Sequence, residues 1–202
     1  MKQLWPGLIL FFLLAGCNQE AAHKNAQKSD RVMIEAEEPK LSIENAANPN
    51  GLSLTSPDFQ NHGTLPLKLA CKKQGGKNVM PTLNWTNVPP GTQSLALSIT
   101  DPDAPNGHWV HWLVYNIPAN ATTLNAQILT YAIQTKNSWD NAEYDGPCPP
   151  AGKLHHYVFT LYAFTEMFPK IPLLTLSEFN YVVTQSNAVI EKATLTGVYQ
   201  NH

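Results

Sequence analysis

The chain has 202 residues, of which 14% are charged against roughly 25% in an average globular protein, and its formal net charge is −2. The 13 Lys and Arg residues are scattered without a basic run, which leaves no electrostatic footprint for nucleic acid. Three cysteines exclude a disulfide-dense scaffold, so stability must come from an apolar core.

The opening MKQLWPGLILFFLLAGC combines one Lys, an apolar run from Leu8 to Leu14 and a small-residue cleavage site. This reads as an export signal over residues 1–16, with an apolar run too short to span a bilayer. Its Leu-Ala-Gly-Cys ending resembles a bacterial lipoprotein signal, in which Cys17 becomes the mature N-terminus and carries the lipid. Ordinary secretion with a chance cysteine is the competing reading. Asn18 is not the Asp that marks inner-membrane retention in such proteins, so the expected address is the cell envelope, at the outer membrane and facing the periplasm. Residues 17–50 are rich in Ala, Asn, Lys and Glu and hold no aromatic residue, the composition of a flexible tether.

Residues 51–202 suffice for one domain. Short runs rich in β-branched and aromatic residues follow in order: LSLTS, TLPLKLAC, TLNWTNV, SLALSIT, VHWLVYNI and YVFTLYAF. The Pro, Gly and Asn clusters between them predict an all-β sandwich or barrel. Past FPKIPLL, Ser177 and Glu178 look like a helix start, and Phe179, Val182, Val183, Val189 and Ile190 follow at helical intervals. One or two short helices are expected near 177–193, before a final strand TLTGVY. Cys71 and Cys148, 77 residues apart, read as a disulfide worth about 4 kcal/mol in an oxidising compartment. A reactive or metal-binding thiol is the alternative.

The segment DPDAPNGHWVHW, residues 101–112, concentrates the polar chemistry. Prolines 102 and 105 deny ladder donors, so the strand before them should end with Asp101 and Asp103 exposed in a turn. Regular alternation places Trp109, His111, Leu113 and Tyr115 on one strand face and His108, Val110, Trp112 and Val114 on the other. This argues against a His108/His111 metal pair. In LHHYVFTLYAF it groups His155, Tyr157, Phe159 and Leu161. If the two strands share a sheet, Trp109, His111, His155 and Tyr157 converge at its end, between two stiff Pro-rich loops.

The segments PTLNW, VPPGTQSLALSITDPDAP, HWVHWLVYNIP, YDGPCPPAGKLHHYVFTLYA and ATLTGVY together resemble the phosphatidylethanolamine-binding protein family, in its bacterial branch related to Raf kinase inhibitor protein. The resemblance covers Leu52 to Tyr199. It implies a Greek-key antiparallel β-sandwich with short peripheral helices and a small pocket for phosphate-like anions or phospholipid headgroups. Carried over, the ligand-binding residues are Asp101, Trp109, His111, His155 and Tyr157, walled by Pro105, Gly146, Pro149 and Pro150. It also implies a cis Ala104–Pro105 bond and a protein partner of protease or kinase type that is inhibited. The segment after Cys71 departs from the family pattern, and its Lys72, Lys73 and Lys77 would add positive potential if a Cys71–Cys148 bond brings them near the pocket.

In such a pocket Tyr157 and the two histidines would each donate to an anion, with affinity rising as pH falls toward about 5.5. Asp101 would either fix a histidine tautomer or accept from a ligand ammonium or hydroxyl. The reading is a binding protein without cofactor or metal. The rival is an enzyme using Asp, His and Tyr for acid–base catalysis; a metal site from Asp101, His111 and His155 is a lesser alternative.

Overall fold

The computed structural model describes residues 50–169, 175–185 and 187–201. The expected signal, Cys17 and the expected tether up to residue 49 lie outside them. In chain order the elements are β1 (Ser53–Thr55), β2 (Gly63–Thr64), β3 (Leu83–Thr86), β4 (Ser94–Asp101), β5 (Trp109–Pro118), β6 (Thr123–Leu124), α1 (Ala126–Leu129), β7 (Ile133–Gln134), β8 (Leu154–Phe164), α2 (Leu176–Gln185) and β9 (Val189–Gln200). No helix among the described residues is long and apolar enough to cross a membrane.

Strands β1, β3 and β6 form one antiparallel sheet. The larger sheet has the order β2-β9-β8-β4-β5-β7 and is antiparallel except for the short parallel pair β2–β9. Leu54, Leu83, Trp85 and Leu124 of the smaller sheet share one buried core with Leu95, Leu97, Ile99, Val114, Phe159 and Leu161 of the larger. Each such side chain contributes about 1.5–3 kcal/mol on leaving water. A second cluster, with Ala96, Leu113, Tyr115 and Phe164, is closed by Phe168 and by Phe179 of α2. The fold is a mainly β sandwich, as the strand spacing predicts.

Four local expectations are corrected. The run TLPLKLAC is not a strand: after Thr64 it turns into a 3₁₀ helix at Leu67–Leu69, because Pro66 has no ladder donor and Leu65, Leu69 and Ala70 all bury in the core. The C-terminal helix starts at a Thr175 cap, where the Thr175 hydroxyl accepts the Glu178 N–H and the Glu178 carboxylate accepts the Thr175 N–H, a reciprocal capping box. That helix stops at Gln185, since Val189 and its successors pair with β8 instead. The Ala104–Pro105 bond is trans. Pro105 occupies the second position of a turn closed by the Gly107 N–H on the Ala104 carbonyl, at 2.9 Å, where its fixed φ suits the ordinary trans geometry.

The fourth correction bears on the site. Alternation groups Leu113 and Tyr115 with Trp109 and His111, but the ladder pairs Thr100 with Val110 and Ile99 with Trp112. His111 is therefore an extra residue, a β-bulge, and the alternation restarts beyond it. Trp112 and Val114 enter the core between the sheets, while Val110, Leu113 and Tyr115 fall in the second cluster.

Candidate functional site

Register brings the polar residues together. Asp101 pairs with Trp109 across β4 and β5, and Thr100 pairs with Val158 across β4 and β8, so the strand ends carrying Asp101, Trp109 and His155 meet at one edge of the sheet. Asp101 is not exposed as expected. It is the last residue of β4, and its Oδ2 receives Nδ1–H of His155 at 2.7 Å, with the two side chains only 4% and 3% exposed. Its Oδ1 accepts the Asp103 N–H at 2.9 Å, so both carboxylate oxygens are partnered, as burial of a charge requires. Asp103 is the exposed carboxylate. It accepts from the ring Nδ1 and the backbone N–H of His156, at 2.7 and 2.8 Å, and these bonds hold its carboxyl below the usual range.

A cavity of about 210 Å³ opens beside the pair. Asp101, Pro105, Trp109, His111, Pro149, Pro150 and His155 line it, together with Ala104, Asn106, Trp139 and Cys148, none of which the sequence placed among the ligand-binding residues. Tyr157 stands behind His111, edge to face at 5.1 Å, and does not line the cavity. Neither does Gly146. A Cβ there would lie 1.8 Å from the Leu69 carbonyl oxygen, so this glycine serves close backbone packing. His108 is exposed, and Lys72, Lys73 and Lys77 are exposed outside the cavity.

The bulge residue His111 is bound twice by Asp145. Its Nδ1–H donates to the Asp145 carbonyl at 2.6 Å, and the Asp145 N–H returns to the His111 carbonyl at 3.1 Å. Burial lowers the His111 pKa, opposed by the Asp145 carbonyl and by the carboxylates of Asp101 and Asp145. A carbonyl can only accept, so Nδ1 keeps the proton and Nε2 is the nitrogen left for the cavity. His155 repeats the arrangement on Asp101. Each neutral ring has thus already given its N–H to the protein, which corrects the expectation that both donate to a ligand.

Buried Asn137 organises the loop that carries Asp145. Its amide donates to the Glu143 carbonyl (3.0 Å) and to Asp145 Oδ2 (2.7 Å), and its Oδ1 accepts the N–H groups of Trp139 and Asn141. Trp139, 39% exposed, meets Trp109 and His111 edge to face at 5.2 and 5.0 Å. A tryptophan inside the polar run NSWDNAEYDG was the available signal for it.

The Pro-rich wall is fixed from below. Cys148 is disulfide-bonded to Cys71, with Cα atoms 5.5 Å apart, the Cys71 N–H donates to Pro147, and the Gln74 amide donates to the Pro149 carbonyl at 2.6 Å. Burial, and then the Asp101 carboxylate, push the Tyr157 phenol pKa up, so it stays protonated. The Asp101 charge acts on this hydroxyl from outside hydrogen-bonding geometry. The Tyr157 hydroxyl and Trp109 Nε1–H are both buried without a partner among the described residues.

The chain matches the family model of phosphatidylethanolamine-binding protein over residues 55–200. A UPF0098 protein of Chlamydia pneumoniae is 36% identical over 154 residues, covering 74% of this chain and 99% of its own length. A Mycobacterium tuberculosis protein given the lipoprotein name LppC is 40% identical over 130 residues, covering 61% of this chain and 63% of its own. The crystal structure of Escherichia coli YbcL, described as a new member of the mammalian PEBP family, matches with a TM-score of 0.68 at 33% identity, covering 74% of this chain and 98% of that one. Sequence and fold agree over the segment that builds the cavity, and the chain belongs to the phosphatidylethanolamine-binding protein family.

Proposed function

We propose that this family member is a lipid-anchored binding protein of the bacterial envelope whose cavity takes a phosphate-like anion or a phosphorylated headgroup. The observation that carries the reading is the convergence of Trp109, His111 and the Asp101–His155 pair on one small cavity walled by rigid Pro105, Pro149 and Pro150. Rigid walls lower the entropic cost of holding a small ligand. Calorimetry on the full chain in detergent, with phosphate and phosphoethanolamine at pH 5.5 and 7.5, tests it. Binding that disappears in His155→Ala supports the pocket; no binding of either ligand at either pH removes it, and leaves inhibition of a protease- or kinase-type partner as the function to assay.

The anchor is tested separately. Cys17→Ser should move the protein from the membrane to the soluble fraction, and recovery in the outer-membrane fraction would support the periplasm-facing address. A second reading draws on the Asp101–His155 pair, which resembles an oriented general base. Turnover of a phosphomonoester by the wild type, abolished in His155→Ala, would convert the binding protein into a hydrolase.

A further inference from the structure

Resting on that pocket reading, we infer that the cavity selects a ligand that brings its own acidic proton, a hydrogen phosphate group, over a fully deprotonated tetrahedral anion of the same size such as sulfate. The donors and acceptors at the cavity wall decide the preference. Among the described residues, no Lys or Arg lines the cavity. His111 Nδ1–H is committed to the Asp145 carbonyl and His155 Nδ1–H to Asp101 Oδ2, so each neutral ring offers a lone pair at Nε2. Asp101 adds a full negative charge at the cavity wall.

Two lone pairs and a carboxylate repel an oxyanion that has nothing to donate. A P–OH group turns one of these contacts into a hydrogen bond, which a sulfate of the same size cannot make. The alternative is to protonate the rings. The groups that act on them are Asp101 and Asp145 around His111, and Asp101 around His155, with Asp103 one turn away engaged by His156. Burial of His111 opposes its protonation, so the site does not become a dication at neutral pH. Inorganic phosphate keeps at least one proton throughout the neutral range, whereas sulfate keeps none. A site built to receive a hydrogen bond rejects the analogue that cannot make it.

The measurement is calorimetry on the full chain in detergent at pH 7.5, with inorganic phosphate and sulfate as separate titrants and repeated at pH 5.5. Phosphate should bind at least about tenfold more tightly than sulfate at pH 7.5, the scale set by one buried acceptor left facing an oxyanion, and the gap should narrow at pH 5.5. Asp101→Asn supplies the second arm. Its Oδ1 must remain the acceptor for Asp103 N–H, which leaves Nδ2 to donate to His155 Nδ1 and moves the ring proton to Nε2. The variant should gain sulfate affinity relative to phosphate, and ¹⁵N NMR should show the tautomer change at His155. Equal affinity for phosphate and sulfate in the wild type overturns the inference while leaving the pocket in place. Failure of phosphate itself to bind overturns the pocket reading beneath it.

Discussion

His111 and Asp145 are joined by two hydrogen bonds, ring Nδ1–H to carbonyl at 2.6 Å and backbone N–H to carbonyl at 3.1 Å, so the ring is fixed by the backbone of the loop that covers it. Burial lowers its pKa in the folded protein, whereas in the unfolded chain it titrates near 6.5. Below that value the unfolded state binds a proton that the folded state resists, so stability is lost as pH falls through about 6.5 and toward the lower folded value. Thermal unfolding in phosphate-free buffer from pH 7.5 to 5.0 should show this decline. It should be smaller in His111→Asn, whose amide can still donate to Asp145.

Removing the Asp101 carboxylate strands two buried donors, His155 Nδ1–H and Asp103 N–H. Asp101→Ala should therefore cost about 2–3 kcal/mol in urea unfolding. A cost within about 0.5 kcal/mol would mean that the pair's desolvation cancels its hydrogen bonds.

The Cys71–Cys148 bond closes a loop of 77 residues and ties the Pro-rich wall to the segment beneath it. Replacing both cysteines by serine should lower the unfolding free energy by about 4 kcal/mol. Ligand affinity should fall alongside it, because the freed wall must then be ordered on binding. A double variant with unchanged affinity would show that Gln74 and the Cys71–Pro147 bond hold the wall unaided.

At Gly146 an added Cβ meets the Leu69 carbonyl oxygen at 1.8 Å, a backbone atom that cannot rotate away. Gly146→Ala should destabilise the protein by about 2 kcal/mol or more, read from the denaturant midpoint. Ligand binding in the folded fraction should then weaken through displacement of the Pro-rich wall. An alanine variant as stable as the wild type would refute the close approach.

Much of this arrangement was legible in the residues. The strand runs, the Pro-rich turns and the choice of Trp109, His111 and His155 as convergent side chains follow from period-two alternation and turn chemistry. Alternation described β8 correctly because that strand keeps its register from Leu154 to Ala163. It misplaced Leu113 and Tyr115 because nothing local in HWVHWLVY marks an inserted residue; the bulge is set by pairing with β4 and by the loop around Asn137. Trp139 was missed for a related reason: it reaches the cavity through a hydrogen-bonded loop without periodicity. The burial of Asp101 was illegible as well, since its partner His155 lies 54 residues away.

The bulge at His111 has a consequence for how this fold can vary. A residue with no partner on the neighbouring strand contributes no cross-strand pair to the β4–β5 ladder. Deleting it would remove the bulge and leave Val110 and Trp112 adjacent, still opposite Thr100 and Ile99 and on opposite faces of the sheet. The bulge thus adds a side chain for the cavity without taking one from the core: the ladder would run on without position 111, and the binding wall would not.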